Sequence, residues 1–427
     1  MTRLLPSLVG VVALALALPA CSSGGDDAGG PVELRFSWWG NEKRAEATEK
    51  ALDAFRAANP DIGVTGEHAD FNAYFDRIAT QVAAGDAPDV ITMGGVYPRE
   101  YGGRGALLDL EEVAGSLDLG RLDEAALSNG EFDGVRYGVP TGVNTYGLVA
   151  NPAVFEAAGV PLPDDDTWTW ADFERIAGEL GDEVPPGTYG VEDPTAPETL
   201  EVFSKQRGEG LYTGGGEVAI STGSVEDWFD MTGRLRDAGS TPQATVTVEQ
   251  MSVSAPEQTL MGRGLAAMRF DWSNRLAALR TASGRPLVML RAPGETAGEQ
   301  AGMWLQASQL YTVNSRTGHP EAAARLIDFL VNDPAAGAAI GTDRGIPANR
   351  EVRERIAGSL DEHQAAEAAF IDEIGDEVTP ALVQGPVGST DTLQILQRVN
   401  SDVLFDRIGV PDAARRFVDE VTAAIGG

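Results

Sequence analysis

The segment VELRFSWWGNEKRAEATEKALDAFRAA, Val32 to Ala58, decides the fold class. Val32, Leu34, Phe36 and Trp38 are apolar, and Glu33, Arg35 and Ser37 between them are polar. That period of two reads as a strand with one buried face. Trp39 breaks the alternation, and Gly40-Asn41 follows as a turn. Thr48, Ala51, Leu52 and Phe55 then fall at i, i+3, i+4 and i+7, one stripe on a helix that Asn59-Pro60 ends. Ligands of open α/β sheets bind beyond the carboxyl ends of the strands. Trp39 stands at such an end, out of phase with the core, and is the first candidate to meet a ligand.

The pattern repeats downstream. Ile62, Val64 and Gly66 alternate as a second strand. Phe71, Phe75, Ile78 and Val82 mark a second amphipathic helix, closed by the turn from Ala84 to Pro88. Asp89 to Met93 is a short apolar strand running into Gly94-Gly95. Strand and helix in alternation predict an α/β fold with parallel βαβ units and right-handed crossovers. Asp133-Gly134 between β-prone residues predicts a hairpin over Glu131 to Pro140. Gly142 to Ala150 is β-prone, and Asn151-Pro152 starts a short helix that closes at Gly159. Thr169 with Asp172 forms a capping pair, and Trp168 staples onto Phe173. Val225 to Leu235, Leu276 to Ala282 and Pro320 to Val331 read as helices. Pro286 to Leu290 and Met303 to Val313 read as strand material, Arg344 to Asn349 as a loop, and Val352 to Ile425 as largely helical. Pro185 to Gly216, rich in Pro, Gly and Thr, offers no period to read.

The 427 residues suffice for two or three domain-sized units. Acidic side chains number 65 against 32 basic, a net charge of -33. Such a surface repels phosphate backbones, which excludes nucleic acid as a partner, and its simplest role is a solubility coat. Met1 to Ala20 has Arg3 as a minimal basic region and an aliphatic run from Leu8 to Leu18, the pattern of a signal peptide. Leu18-Pro19-Ala20-Cys21 resembles a bacterial lipobox, with Pro19 a departure from the usual small residue. Cys21 is the only cysteine, so no disulfide forms within the mature chain. Ser22 to Gly30 reads as a flexible tether. The expectation is an exported protein held at the outer face of the cell membrane by a lipid on Cys21; the alternative is a plain secretory signal with an incidental cysteine.

Several segments carry a family likeness: AFRAANPDIGV (Ala54 to Val64), QVAAGDAPDVITM (Gln81 to Met93), GALLDLEE (Gly105 to Glu112), YGVPTGVNTYGLVANPAVFEAAGV (Tyr137 to Val160) and TWTWADF (Thr167 to Phe173). GRGLAAMRFDWSN (Gly262 to Asn274), SRTGHPEAAARLIDFLVND (Ser315 to Asp333) and RGIPAN (Arg344 to Asn349) continue it. In this order and spacing the chain resembles the family 1 extracellular solute-binding proteins, the sugar-binding lipoproteins of ABC importers that include maltose-binding-like proteins. The resemblance implies a two-lobed, periplasmic-binding-protein-like fold of type II that closes on its ligand about a hinge. It implies lobe one over 31–141 and 293–344, and lobe two over 142–292 and 345–427. It further implies a monomer that holds a carbohydrate, delivers it to the transmembrane subunits of an ABC permease, and uses no cofactor or metal.

Sugars present apolar C–H faces ringed by hydroxyls, so aromatic platforms beside planar polar groups recognise them. Trp39, Asn41 and Arg44 follow the first strand, and Tyr97 follows Gly94-Gly95. Asn144 and Thr145 lie in the presumed crossing segment, Asp271 and Trp272 beyond a strand, Trp304 before a crossing, and Arg344 in the RGIP loop. Each has a plainer reading. The tryptophans and Tyr97 are also core residues in waiting, Asp271 is also a helix cap, and the arginines are also surface ion pairs. Trp38, Trp168, Trp170 and Trp228 are read as core.

Catalysis has little behind it. His68, His319 and His363 lack metal-ligand spacing, and no CxxC, HExxH, GxSxG or P-loop occurs. The many carboxylates leave a secreted glycoside hydrolase as the enzymatic alternative. A sugar-sensing receptor lipoprotein without a transport role is the other.

Overall fold

The computed structural model describes residues 31–426 except Val96, Ser254, Gly298, Glu299, Asp376, 379–382, Gln384 and Val387. The signal peptide, the tether and Cys21 therefore lie outside the described residues. Among those described, no helix is long and apolar enough to cross a membrane.

The opening βαβ units form as the sequence predicts. Strand β1 (Val32–Trp39) leads into helix α1 (Glu42–Ala58), whose first turn is capped by Asn41: its side-chain oxygen accepts from the Arg44 N–H at 3.0 Å. Thr48, Ala51, Leu52 and Phe55 are all buried on one side of α1, and Asn59 caps its end through the Phe55 carbonyl. Strand β2 (Ile62–Ala69), helix α2 (Phe71–Ala84) and strand β3 (Val90–Met93) follow, with β2 and β3 both pairing parallel to β1. One expectation fails. The polar face of β1 is solvated only at Glu33 and partly at Arg35; at Ser37 it is enclosed, because α2 packs over that end as α1 covers the other face. Ser37 is fully buried, and its carbonyl accepts from the Tyr74 hydroxyl at 3.1 Å. The carboxyl end of a central parallel strand is enclosed on both sides whatever its alternation suggests.

The hairpin of β4 (Glu131–Phe132) and β5 (Val135–Arg136) turns on Asp133 and Gly134, both with positive φ as a two-residue hairpin turn requires. The chain then enters β6 (Gly138–Ala150), the longest strand. Strands β7 (Tyr189–Val191), β8 (Ala266–Trp272), β9 (Val288–Leu290), β10 (Leu305–Val313) and β11 (Ile346–Pro347) complete a nine-stranded sheet in the order β2-β1-β3-β10-β6-β8-β7, with β9 and β11 also on β6.

The register of β6 organises this sheet. Residues Gly138 to Thr145 pair with β10, and Tyr146 to Ala150 pair with β8 and β9. Two half-sheets thus share one continuous strand, with the change of partner at Thr145/Tyr146. A separate helical core of Leu200, Phe203, Trp228, Phe229, Leu396 and Phe417 packs the Pro197–Lys205, Thr222–Asp237, Thr392–Leu404 and Val410–Ile425 helices beside the second half-sheet. The unreadable stretch Pro185 to Gly216 holds both β7 and the Pro197–Lys205 helix.

The Trp170–Glu183 helix carries the predicted capping box. The Thr169 hydroxyl accepts from the Asp172 N–H at 3.2 Å, and the Asp172 carboxylate accepts from the Thr169 N–H at 3.1 Å. Trp168 is buried edge-on to Phe173. Replacing Thr169 with Ala is expected to lower unfolding stability by about 1 kcal/mol, read from urea denaturation; an unchanged midpoint would remove the box from the account of this helix.

Candidate functional site

Strand directions place the site. β3 runs toward the Leu305 end of β10, since Val90 pairs with Val313 and Met93 with Leu310. β8 runs toward the Tyr146 end of the second half-sheet, since Met268 pairs with Ala150 and Trp272 with Tyr146. The carboxyl ends of β1 and β3 therefore confront those of β7 and β8 across the partner change in β6, the position where α/β sheets hold ligands.

On the first side, Trp39 closes β1 half-buried, in ring contact with Phe71, Tyr74 and Phe75. Tyr97 stacks on Phe75 with ring centroids 3.8 Å apart, and Phe71 is exposed over 51% of its surface. This aromatic group is the wall that the half-sheet of β1 presents.

On the second side lies a cavity of about 240 Å³ between β8, the segment after β7 and the Thr392–Leu404 helix. Asp271 and Trp272 line it with Tyr146, Glu192 and Glu198. Trp272 meets Tyr146 edge-on at 5.3 Å. Asp271 is buried and fully engaged, taking the Arg269 Nε at 2.8 Å, the Arg275 Nε at 2.9 Å and the Trp272 N–H at 2.9 Å. Arg269 also pairs with Glu192, whose second oxygen accepts the Met261 N–H at 2.7 Å. Burial drives the Glu192 carboxyl upward, and Arg269 opposes it.

The remaining candidates hold these walls in place. Trp304 is wholly enclosed, edge-on to Trp272 at 6.0 Å and under the Lys205 ammonium at 5.5 Å, so it backs the cavity wall and offers no platform of its own. Thr145 donates its N–H to Ser273 Oγ at 3.1 Å and its hydroxyl to the Trp304 carbonyl at 3.0 Å, pinning the partner change. Asn144, next to it, is buried with its side-chain oxygen unpartnered. Arg344, read as a loop residue for ligand, is buried and spends its guanidinium on the Tyr311 hydroxyl (2.7 Å) and Thr48 Oγ1 (2.8 Å). Arg44 pairs with Asp343 at 2.6 Å, and Asn41 is the cap of α1. The loop at 343–349 needed anchoring to α1, and these cations supply it.

Sequence reading missed Tyr146, Glu192, Glu198 and Arg269. Glu192 and Glu198 fall in the aperiodic stretch. Arg269 and Asp271 are two apart on β8 and so share a face, a signal that was there to read.

The family described as bacterial extracellular solute-binding protein matches this chain over residues 39–337. The chain belongs to that family. Among relatives of this solute-binding protein, an uncharacterized lipoprotein in the oleD 5′ region of Streptomyces antibioticus is 28% identical over 338 residues, 74% of this chain and 70% of that one. The diacetylchitobiose binding protein DasA of Streptomyces coelicolor is 22% identical, covering 86% of this chain and 87% of its own. The solved extracellular solute-binding protein family 1 from Alicyclobacillus acidocaldarius superposes with a TM-score of 0.82 at 26% identity, over 93% of this chain and 99% of its own. The fold is accordingly the two-lobed one of periplasmic solute-binding proteins.

One titration marks the partner change. Glu367, on the Glu362–Ile374 helix, accepts the Ser273 hydroxyl at 2.9 Å, and burial pushes its carboxyl up to about 7 from 4.5. A native value above the unfolded one favours the folded state fully below about pH 4.5 and loses that advantage as pH rises through 7. Glu367→Gln is therefore expected to leave stability near pH 4.5 unchanged and to raise it by about 2–3 kcal/mol at pH 8, measured by chemical denaturation. Parallel pH profiles for the two proteins would refute the assignment.

Proposed function

We propose that this solute-binding protein captures a sugar or oligosaccharide between its two lobes and presents the closed form to an ABC permease, with no catalytic step and no cofactor. In this reading the lobes are residues 31–141 with 293–344, and 142–292 with 345–427. The strand pairing supports the division, because β6 leaves β10 for β8 and β9 shortly after the first boundary.

The observation that carries the reading is the confrontation of two strand-end walls, one aromatic (Trp39, Phe71, Tyr97) and one joining an indole and a phenol to polar groups (Trp272, Tyr146, Asp271). Aromatic faces stack on sugar C–H surfaces while planar polar groups take the hydroxyls. The printed name of the Streptomyces coelicolor relative, a diacetylchitobiose binding protein, agrees with this chemistry. A ligand touching both walls only when they close shifts the hinge equilibrium by its differential binding free energy. A lipid on Cys21 would keep the monomeric receptor beside its permease after export, and the S. antibioticus relative is named a lipoprotein.

A carbohydrate panel tests the reading by thermal shift, since a ligand of the native state alone raises the melting temperature. With the best ligand, Trp272→Ala is expected to weaken binding by about 1–3 kcal/mol in calorimetry; wild-type affinity would move the site elsewhere. Cys21→Ser is expected to shift the protein from the membrane fraction to the medium, and retention in the membrane would remove the lipid anchor.

A further inference from the structure

Away from β6, a hydrogen bond joins the two proposed lobes. Arg99 lies on the Tyr97–Gly103 helix, two residues past Tyr97 of the aromatic wall. Its terminal nitrogen donates to Asp133 Oδ1 at 3.0 Å, within the first lobe, and to the Gly214 carbonyl at 3.4 Å, in the second. That nitrogen carries two protons, so both acceptors are served at once. Gly214 follows the Pro197–Lys205 helix, whose start lines the cavity through Ala196 and Glu198. The bond is therefore made by segments that continue the two walls, not by the strands that share the partner change.

Gly214 is the tip of a braced turn. Tyr212 bridges to Val218, the Thr213 N–H donates to the Glu217 carbonyl at 2.8 Å, and the Ala219 N–H to the Leu211 carbonyl at 2.9 Å. Gly216 takes a positive φ of 83° and closes the turn. The base is tied to the second lobe. Leu211 and Ile220 belong to its helical core, the Leu211 N–H donates to the buried Glu201 carboxylate, and the Tyr212 hydroxyl pairs with that of Thr392. A tip fixed to one lobe travels with it as a rigid arm when a hinge moves.

We propose that the Tyr212–Val218 turn is a latch: its Gly214 carbonyl takes Arg99 only when the lobes are shut, and the bond populates the shut form before any ligand arrives. The inference rests on the two-lobed capture reading and names a residue that governs release. An interaction present in one state alone shifts the equilibrium toward that state by its own free energy. Asp133 aims the guanidinium at the turn, so little side-chain freedom is lost when the tip docks.

The test follows the arm directly. Cys21 is the only native cysteine, so the full chain carrying Cys21→Ser, Gly103→Cys and Gly214→Cys takes a donor and an acceptor dye at two unique thiols. A Cβ at Gly103 or Gly214 meets nothing within 4 Å, which leaves the contact in place. Single-molecule energy transfer without saccharide is expected to alternate between a high and a low level. With Arg99→Ala the high level should end about two- to tenfold sooner, while the low level lasts as long as before. Arg99→Lys, which keeps a donor, should recover part of the loss. A high level that lasts equally long in Arg99→Ala, or a steady low level in the wild type, overturns the latch and leaves capture in place. A steady high level in wild type and Arg99→Ala alike means that the lobes do not part, and overturns capture with the latch.

Discussion

A single strand belongs to two sheets at once, and the rest of the molecule depends on that. β6 hydrogen-bonds to β10 through Thr145 and to β8 and β9 from Tyr146 onward. Because backbone pairing is continuous through the change, the half-sheets keep a defined relation, yet few side chains police it. Thr145 is held by Ser273 and the Trp304 carbonyl, and Ser273 in turn by Glu367. Burial raises the Glu367 carboxyl, so the protonation of this one group is tied to the contact that holds Ser273.

Aromatic packing extends outward from the junction. Tyr146, on β6 itself, touches Trp272 and lies parallel to Trp304 at 6.5 Å, and Trp170 continues the contact through Phe270 into Trp228 of the helical core. The cavity wall is thus one end of a rigid chain of rings, anchored at the far side of its lobe. A wall of this kind holds its shape before ligand arrives, which lowers the ordering cost of binding. The buried Glu192–Arg269–Asp271 network stiffens the floor in the same way.

Much of this was legible residue by residue. The β1–α1–β2–α2–β3 run, the Asn41 and Thr169 caps and the Asp133-Gly134 turn all follow from local rules, because caps, turns and apolar stripes are decided by neighbours within about one helical turn. Trp272 and Asp271 were legible as a pair at a strand end. Trp304 and Arg344 were chosen by residue type, and the structure encloses both: an indole and a guanidinium look alike in sequence whether they face a ligand or brace a loop. The burial of Ser37 escaped for a related reason, since alternation on a strand says nothing of what packs on its polar side.

Sequence by itself determined the α/β class, the membership of the opening elements and the acidic character of the chain, because composition and short-range periodicity are local quantities. Only the tertiary structure decided that β6 changes partners at Thr145/Tyr146, that Glu198 and Gln250 share one cavity with Tyr146, and that Arg269 is already taken. Those facts join residues about 50 to 160 positions apart, and no period in a chain encodes which distant groups will meet.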